Sequence, residues 1–237
     1  MTLHFVENRL LAALSPEEYS RIVAYMELVP LEFKQDVYLY NQPIEYVYFP
    51  KHGVISLLTI MADGSAVEVA TVGNEGMVGL PILLGANSIP GQAFSQVPGD
   101  AWRMSADAFK AHVTPSSPLH DLLQRYTQAL FNQIAQSAAC NRLHSIEERF
   151  CRWLLMTADR VERDSFPLTQ EFLAQMLGVN RSSVSLTASI LQRAGLIEYV
   201  RGQMTIVDRD SLEATSCECY QIVKVEFERL LNGNSSH

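Results

Sequence analysis

The sequence lacks any apolar run near the ~20 residues that a bilayer-spanning helix requires, although 48% of its 237 residues are hydrophobic. A helical membrane protein is excluded, and enough apolar material remains for a real core. Cysteine is absent before Cys140, and the four that follow are Cys140, Cys151, Cys217 and Cys219. So few, so late, do not make a secreted disulfide framework. Cys217 and Cys219 flank one residue where the hairpin of a zinc knuckle has two. These thiols read as reduced and structural, and no metal site is expected. The N-terminus, MTLHFVENRLLAAL, carries Glu7 early and lacks a basic segment leading to a small-residue cleavage site, so no signal peptide is expected. A cytoplasmic protein without a membrane partner follows as the expectation.

The chemistry of catalysis is also missing. Residues 29–104 contain a single histidine, His52, too few ligands for a metalloenzyme on a cupin-like barrel. Gly73-Asn74-Glu75-Gly76-Met77-Val78-Gly79 is glycine-rich, but no Lys-Ser/Thr follows it, so it reads as a turn rather than a phosphate loop. No nucleophile–base pair has structural context, no cofactor is implied, and no catalytic residue is expected. Cationic charge is scarce as well: the formal net charge is −8, with 18 Lys and Arg against 26 Asp and Glu. The imbalance is uneven. Residues 1–125 hold 7 basic against 13 acidic residues, residues 141–210 hold 9 against 9, and residues 211–237 hold 2 against 4. The neutral middle stretch permits nucleic-acid binding, which depends on cations close to phosphates rather than on the chain total.

What is present falls into an ordered series. Leu10, Leu11 and Leu14 recur at helical spacing, and Ser15-Pro16-Glu17-Glu18 reads as an N-cap with proline and acidic residues in a first turn. From Val29 to Met104, short β-branched and aromatic runs (VYLY, YVYF, VISLLTI, VEVATV) alternate with turn formers, which predicts an antiparallel sandwich or barrel. Asp63-Gly64 marks a hairpin. Helical periodicity resumes at Ser117-Pro118 and runs to about Arg142, with Leu119, Leu122, Leu123, Tyr126, Leu130 and Ile134 on one face. A helix of about 25 residues is ~37 Å long. Its stripe suits packing on the β segment or on a parallel copy of the chain, and its isolation between two domains favours the copy. Ser145-Ile146-Glu147-Glu148 fits a capping box opening a helix to about Val161, which buries Phe150, Trp153, Leu154 and Thr157.

Thr169 then caps a short helix, Gln170 to Leu177, that Gly178 terminates. Val179 is a buried turn residue, and Asn180 caps a second helix from Arg181 to about Arg193 with Val184, Ala188 and Leu191 inward. EYVRGQMTIVD supplies two short strands around Arg201-Gly202-Gln203. This is a winged helix-turn-helix, whose second helix protrudes into a DNA major groove. Its exposed first turns offer Arg181, Ser182, Ser183 and Ser185, all hydrogen-bond donors at the positive end of a helix dipole.

LTQEFLAQMLGVNRSSVSLTASILQRAGLIEYVRGQMTIVDR resembles the DNA-binding domain of the Crp/Fnr transcription regulators, and the preceding β segment and long helix resemble their cyclic-nucleotide-binding fold and dimerisation helix. The likeness spans about residues 10 to 210. It implies an α+β chain: an N-terminal antiparallel β-roll or jelly-roll sensor domain (1–116), a dimerisation helix (117–144) and a C-terminal winged helix-turn-helix with a C-terminal helix (145–237). It further implies a homodimer on a palindromic site in double-stranded DNA, with RNA polymerase as an expected partner. Arg181 matches the family's base-reading arginine, and Thr169 and Gln170 match backbone-contacting positions. Asn180, Ser182, Ser183, Ser185 and the wing residue Arg201 complete the expected contact set. Ser182 stands where the family commonly has glutamate, and Leu186 where many members have a second arginine.

The effector site departs from the family. The stretch matching its ribose-binding Gly-Glu-Leu is Gly76-Met77-Val78-Gly79-Leu80-Pro81, with Leu80 in the glutamate's place. The phosphate-binding arginine has no counterpart, and SIPGQAF offers Gln92 near its position. Ile134 and Ala135 fall about where cyclic-AMP binders present hydroxyls. Val78, Gly79, Leu80, Gln92 and Ile134 are therefore the expected lining of an altered effector pocket that does not take cyclic AMP. Three outcomes stay open: a less charged small-molecule effector, an oxidant response through Cys217 and Cys219, or control by abundance alone. The competing function is a sensor that regulates a protein partner without using its helix-turn-helix on DNA.

Overall fold

The computed structural model describes residues 8–231; the sequence reading of residues 1–7 lies outside them. Two short helices, α1 (Arg9–Ala12) and α2 (Pro16–Val23), open the chain, the second capped by the Ser15 hydroxyl accepting from the Glu18 amide at 3.2 Å. Seven strands follow: β1 (Glu27–Leu31), β2 (Asp36–Tyr38), β3 (Tyr46–Pro50), β4 (Val54–Ile60), β5 (Ala66–Val72), β6 (Gly91–Val97) and β7 (Gly99–Ser105). They form two antiparallel sheets ordered β1-β7-β3 and β2-β6-β4-β5. The Asp63-Gly64 hairpin joins β4 to β5, with Gly64 at φ 82°. Helix α3 (Leu80–Leu83) interrupts the strands and α4 (Ala106–His112) ends them.

Helix α5 (Pro118–Leu143) is capped by Ser117, and α6 (Ile146–Val161) begins with a complete Ser145–Glu148 capping box. Then come β8 (Ser165–Pro167), α7 (Gln170–Leu177), α8 (Arg181–Arg193), β9 (Ile197–Val200) and β10 (Gln203–Ile206), with sheet order β8-β10-β9. Two helices finish the described chain, α9 (Arg209–Thr215) and α10 (Cys219–Leu231). No helix among the described residues is long and apolar enough to cross a membrane. The expected α+β fold is thus observed, with β8 and α4 as elements its periodicity did not announce.

The face of α5 is a correction. Leu119, Leu122, Leu123, Tyr126 and Leu130 are buried within the chain, against the β-roll and neighbouring helices, rather than left for a partner copy. Tyr126 fixes the contact: its hydroxyl donates to the Met77 carbonyl at 3.1 Å, and a Cβ on Gly76 would stand 2.4 Å from that hydroxyl. Any residue but glycine at 76 would displace the Tyr126 ring from this contact. Helix α10 covers another side of α5, with the Phe227 and Tyr126 rings edge to face at 6.2 Å and Asn132 donating to Glu226 at 2.7 Å. What α5 leaves exposed is Phe131, Ile134 and Leu143, with Phe131 65% accessible.

A buried ion pair ties the halves of the molecule together. Arg160 of α6 meets Glu75 at 2.8 Å, and each side chain is only 8% exposed. The same guanidinium donates to the Met156 carbonyl and to Gln133 Oε1 of α5, while Gln133 Nε2 donates to the Thr71 carbonyl of β5. Nearby, Glu68 of β5 accepts from Trp153 Nε1 of α6 at 2.9 Å and lies 2.7 Å from the Ser56 hydroxyl. That hydroxyl also lies 2.6 Å from Gln96 Oε1. One hydroxyl carries one proton, so the second contact requires either a protonated Glu68 that donates to Ser56 or a Gln96 amide that presents Nε2 to it. Burial raises the Glu68 carboxyl to about 7, against the opposing effect of the Ser56 and Trp153 hydrogen bonds and the Arg160 and Arg152 charges.

Two expectations follow. Arg160→Met leaves Glu75 buried without its partner and costs about 3–5 kcal/mol in chemical denaturation. Adding Glu75→Met should recover most of that loss, and no recovery would mean the pair is not the cause. Glu68 has a folded value above its unfolded 4.5, so its stabilising contribution is complete below about 4.5 and is lost as pH rises through about 7. Trp153 fluorescence should therefore titrate with a midpoint near pH 7, and Glu68→Gln should flatten it. An unchanged titration in that variant refutes the assignment.

Candidate nucleic-acid interface and effector pocket

The turn between α7 and α8 is built as the sequence requires. Gly178 takes the left-handed conformation (φ 63°) at the end of α7 and its amide bonds to the Ala174 and Gln175 carbonyls. Val184, Thr187, Ala188 and Leu191 bury the inner face of α8. Thr169 caps α7, its hydroxyl accepting from the Phe172 amide at 3.1 Å. Asn180 occupies the N-cap of α8, but its side chain accepts no capping bond. That side chain is exposed, as are Arg181 and Ser182, whereas Ser183 is half-buried.

Two expected contact residues are spent on each other: the Ser185 hydroxyl donates to Gln170 Oε1 at 2.5 Å. This bond fixes the start of α7 against α8, so Gln170 and Ser185 set the interhelical angle. The outward ridge of α8 instead continues through Leu186, Ser189 and Arg193, all exposed, with Leu186 at 62%. Sequence reading had not placed Ser189 or Arg193 among the contacts; their i, i+3/i+4 spacing from Ser182 and Leu186 is the signal that finds them.

The wing is a two-residue hairpin with Arg201 at φ 52° and Gly202 at φ 80°, both left-handed as a type I′ turn demands. It is anchored twice. The Leu168 amide donates to the Gly202 carbonyl at 2.8 Å, which ties the hairpin carrying exposed Arg201 to the residue before Thr169, and the Tyr199 amide donates to Gln192 Oε1 of α8 at 2.9 Å. Helix α7 also leans on the N-terminal β-roll: the Phe172 ring lies 6.0 Å from Phe33 and 5.9 Å from Phe94. Even so, the α8 ridge faces away from these contacts and stays open.

Of the expected effector residues, four share one cavity and one does not. Val78, Gly79, Leu80 and Ile134 line a cavity of about 260 Å³ with Tyr38, Leu130 and Phe131. Its lining is apolar apart from Tyr38 and Thr127; the Thr127 hydroxyl is spent on the Leu123 carbonyl at 2.7 Å, and burial pushes the Tyr38 phenol up from its ordinary value. No cationic side chain lines it. Gln92 is a correction: it sits on β6 beside a separate surface groove and donates to Asp36 Oδ1 at 2.6 Å. The β4–β6 ladder pairs Gln92 with Leu58 and so fixes which face Gln92 takes.

Comparison with known proteins agrees with this architecture. Residues 30–114 match the family model of the cyclic nucleotide-binding domain, and residues 148–215 match that of the Crp-like helix-turn-helix domain. None of the curated proteins matches the chain in sequence. Among solved structures, the chain is similar to FixK2 from Bradyrhizobium japonicum (TM-score 0.69, 16% identity, covering 81% of this chain and 98% of that one). It is similar also to a putative transcriptional regulator of the crp/fnr family from Eubacterium rectale (0.66, 17%, 87% and 96%). A third is CLP, described as a c-di-GMP responsive global regulator, from Xanthomonas campestris (0.65, 14%, 81% and 99%).

Proposed function

We propose, on the premise that this chain belongs to the Crp/Fnr family of transcription regulators, that it acts as a homodimer on a palindromic DNA site. The observation that carries the reading is the exposed ridge of α8, Arg181-Ser182-Leu186-Ser189-Arg193, held at a fixed angle by the Ser185–Gln170 bond. Arg181 sits where a guanidinium bridges guanine O6 and N7. Leu186 presents a branched methyl surface suited to a thymine methyl rather than to a second guanine. Asn180, Ser182 and Ser183 lie at the helix N-terminus, where phosphate is favoured. Thr169 at the start of α7 and Arg201 at the tip of the wing hold the backbone. Sparse charge is compatible with this division, because a dimer doubles every cation. Its dimer surface is the exposed strip of α5 that carries Phe131 and Ile134, rather than the buried leucine stripe.

The sensor cavity, apolar and without a cation, takes a small uncharged molecule and not a cyclic nucleotide. A phosphate buried there would lose its hydration with no compensating charge, a cost of several kcal/mol.

Footprinting with genomic fragments should protect two half-sites one helical turn (10–10.5 bp), or a multiple of it, apart. Arg181→Ala should weaken specific binding by about 1–3 kcal/mol, and unchanged specificity in that variant removes α8 as the reading helix. Titration calorimetry with cyclic AMP should give no heat of binding at micromolar concentration. A micromolar isotherm overturns the reading of the pocket.

A further inference from the structure

Away from both of these sites, four soft ligand groups converge where α5 ends. Cys140 and His144 stand one helical turn apart, i and i+4, so they share a face. Opposite them, Cys217 in the turn after α9 and Cys219 at the start of α10 present two more sulfurs. Cys140 Sγ lies 3.5 Å from Cys217 Sγ, and Cys219 Sγ lies 3.5 Å from His144 Nδ1. All four ligand atoms fall within 4.8 Å of one another. A tetrahedral zinc with ~2.3 Å bonds to sulfur sets ligand atoms roughly 3.8 Å apart. The cluster is therefore already close to the size that a metal ion needs.

The surroundings are those of a ligand set rather than of packing. His144 turns Nε2 to the Glu218 carboxylate at 3.1 Å while Nδ1 faces Cys219, the carboxylate–histidine arrangement that orients a metal-bound imidazole. Gln136 of α5 donates its amide to Cys219 Sγ at 3.0 Å, a hydrogen bond that a thiolate accepts better than a thiol. Positive charge is also in place. The Arg152 and Arg149 guanidiniums interact electrostatically with Cys140, and Arg149 Nε and Arg152 Nη1 are buried without a hydrogen-bond partner among the described residues. Three thiolates, one neutral imidazole and a divalent ion carry one net negative charge, which these arginines offset.

We propose that Cys140, His144, Cys217 and Cys219 form a tetrahedral metal site of the zinc class, which staples the C-terminal helices to the end of the long helix. Sulfur-rich four-coordinate sites select zinc among the hard and borderline divalent ions. Binding replaces the three thiol protons, which leave to solvent, and forms three metal–sulfur bonds and one metal–nitrogen bond without any change of oxidation state. His144 is the C-cap of α5 and Ser145 opens α6, so the staple closes on the joint between sensor and DNA-binding regions. The spacing Cys217-x-Cys219 had argued against a zinc knuckle, and it still does. The site instead pairs that dipeptide with a helical Cys-x3-His far upstream.

The test uses the full chain, reduced and stripped with a chelator, then titrated with zinc(II) and separately with cobalt(II). One zinc per chain should survive gel filtration. Cobalt(II) should give the sulfur-to-metal charge-transfer absorption and intense visible bands of a tetrahedral thiolate site. Cys217→Ser and Cys219→Ser should abolish both signals with circular dichroism and elution volume unchanged. Cys151→Ser, on α6 and outside the cluster, should retain them. Glu218→Gln should weaken zinc binding by about tenfold. Failure of the unmodified chain to retain zinc, or equal loss in Cys151→Ser, overturns the proposal. So does loss of two thiols on mild oxidation by a chain that binds no metal, which would identify a redox pair. None of these readings involves DNA, so they stand apart from the assignment of α8.

Discussion

The arrangement of the two halves rests on the Arg160–Glu75 pair. Such a pair contributes little net stability, because burying two charges costs about as much as their attraction returns. It contributes geometry instead. Arg160 on α6, Gln133 on α5 and Glu75 in the Gly73–Gly76 turn must all be correctly placed at once. The turn's glycines answer to that demand rather than to backbone freedom. A Cβ on Gly73 would stand 2.6 Å from Arg160 Cβ, and neither Gly73 nor Gly76 has a positive φ. The segment that reads as a bare turn in the sequence is where β-roll, long helix and helix-turn-helix region meet.

Local features were legible in the sequence and non-local ones were not. The capping box at Ser145, the Gly178 terminus, the Asp63-Gly64 hairpin and the wing all follow from residues a few positions apart, and each stands where its pattern placed it. The leucine stripe of α5 announced that the helix buries a face but not against what. A period of 3.6 is the same whether the partner is a sheet in the same chain or a helix from another. Gln92 differs for a related reason: its place is set by pairing with Leu58 across β4–β6, a partner distant in sequence. The metal-ligand cluster was invisible because its two halves are separated by most of the DNA-binding domain. Each half alone, a Cys-x3-His on a helix and a Cys-x-Cys, matches no familiar spacing.

The same physical distinction separates what α8 and the β-roll reveal about function. Reading DNA needs exposed donors at defined helical positions, and residue identity supplies them directly. Sensing needs a cavity whose contents are set by what many elements leave unfilled. In this β-roll the cavity is lined by Leu80 of α3 and by Leu130, Phe131 and Ile134 of α5, which the fold brings together.

Cavity and joint are also mechanically continuous. Leu130 and Ile134 line the cavity, while Gln133, on the same turn of α5, holds Arg160 and the Thr71 carbonyl. A ligand that displaces this turn must carry the Gln133 amide with it, and the buried ion pair tolerates little displacement, since separated charges are left dry and unpaired. One turn further along, Gln136 bonds Cys219, and beyond it Cys140 and His144 meet the C-terminal helices. The residues of α5 that contact the cavity, the ion pair and the cysteine cluster thus succeed one another along a single rigid rod. From the end of that rod α6 leads into the helix-turn-helix.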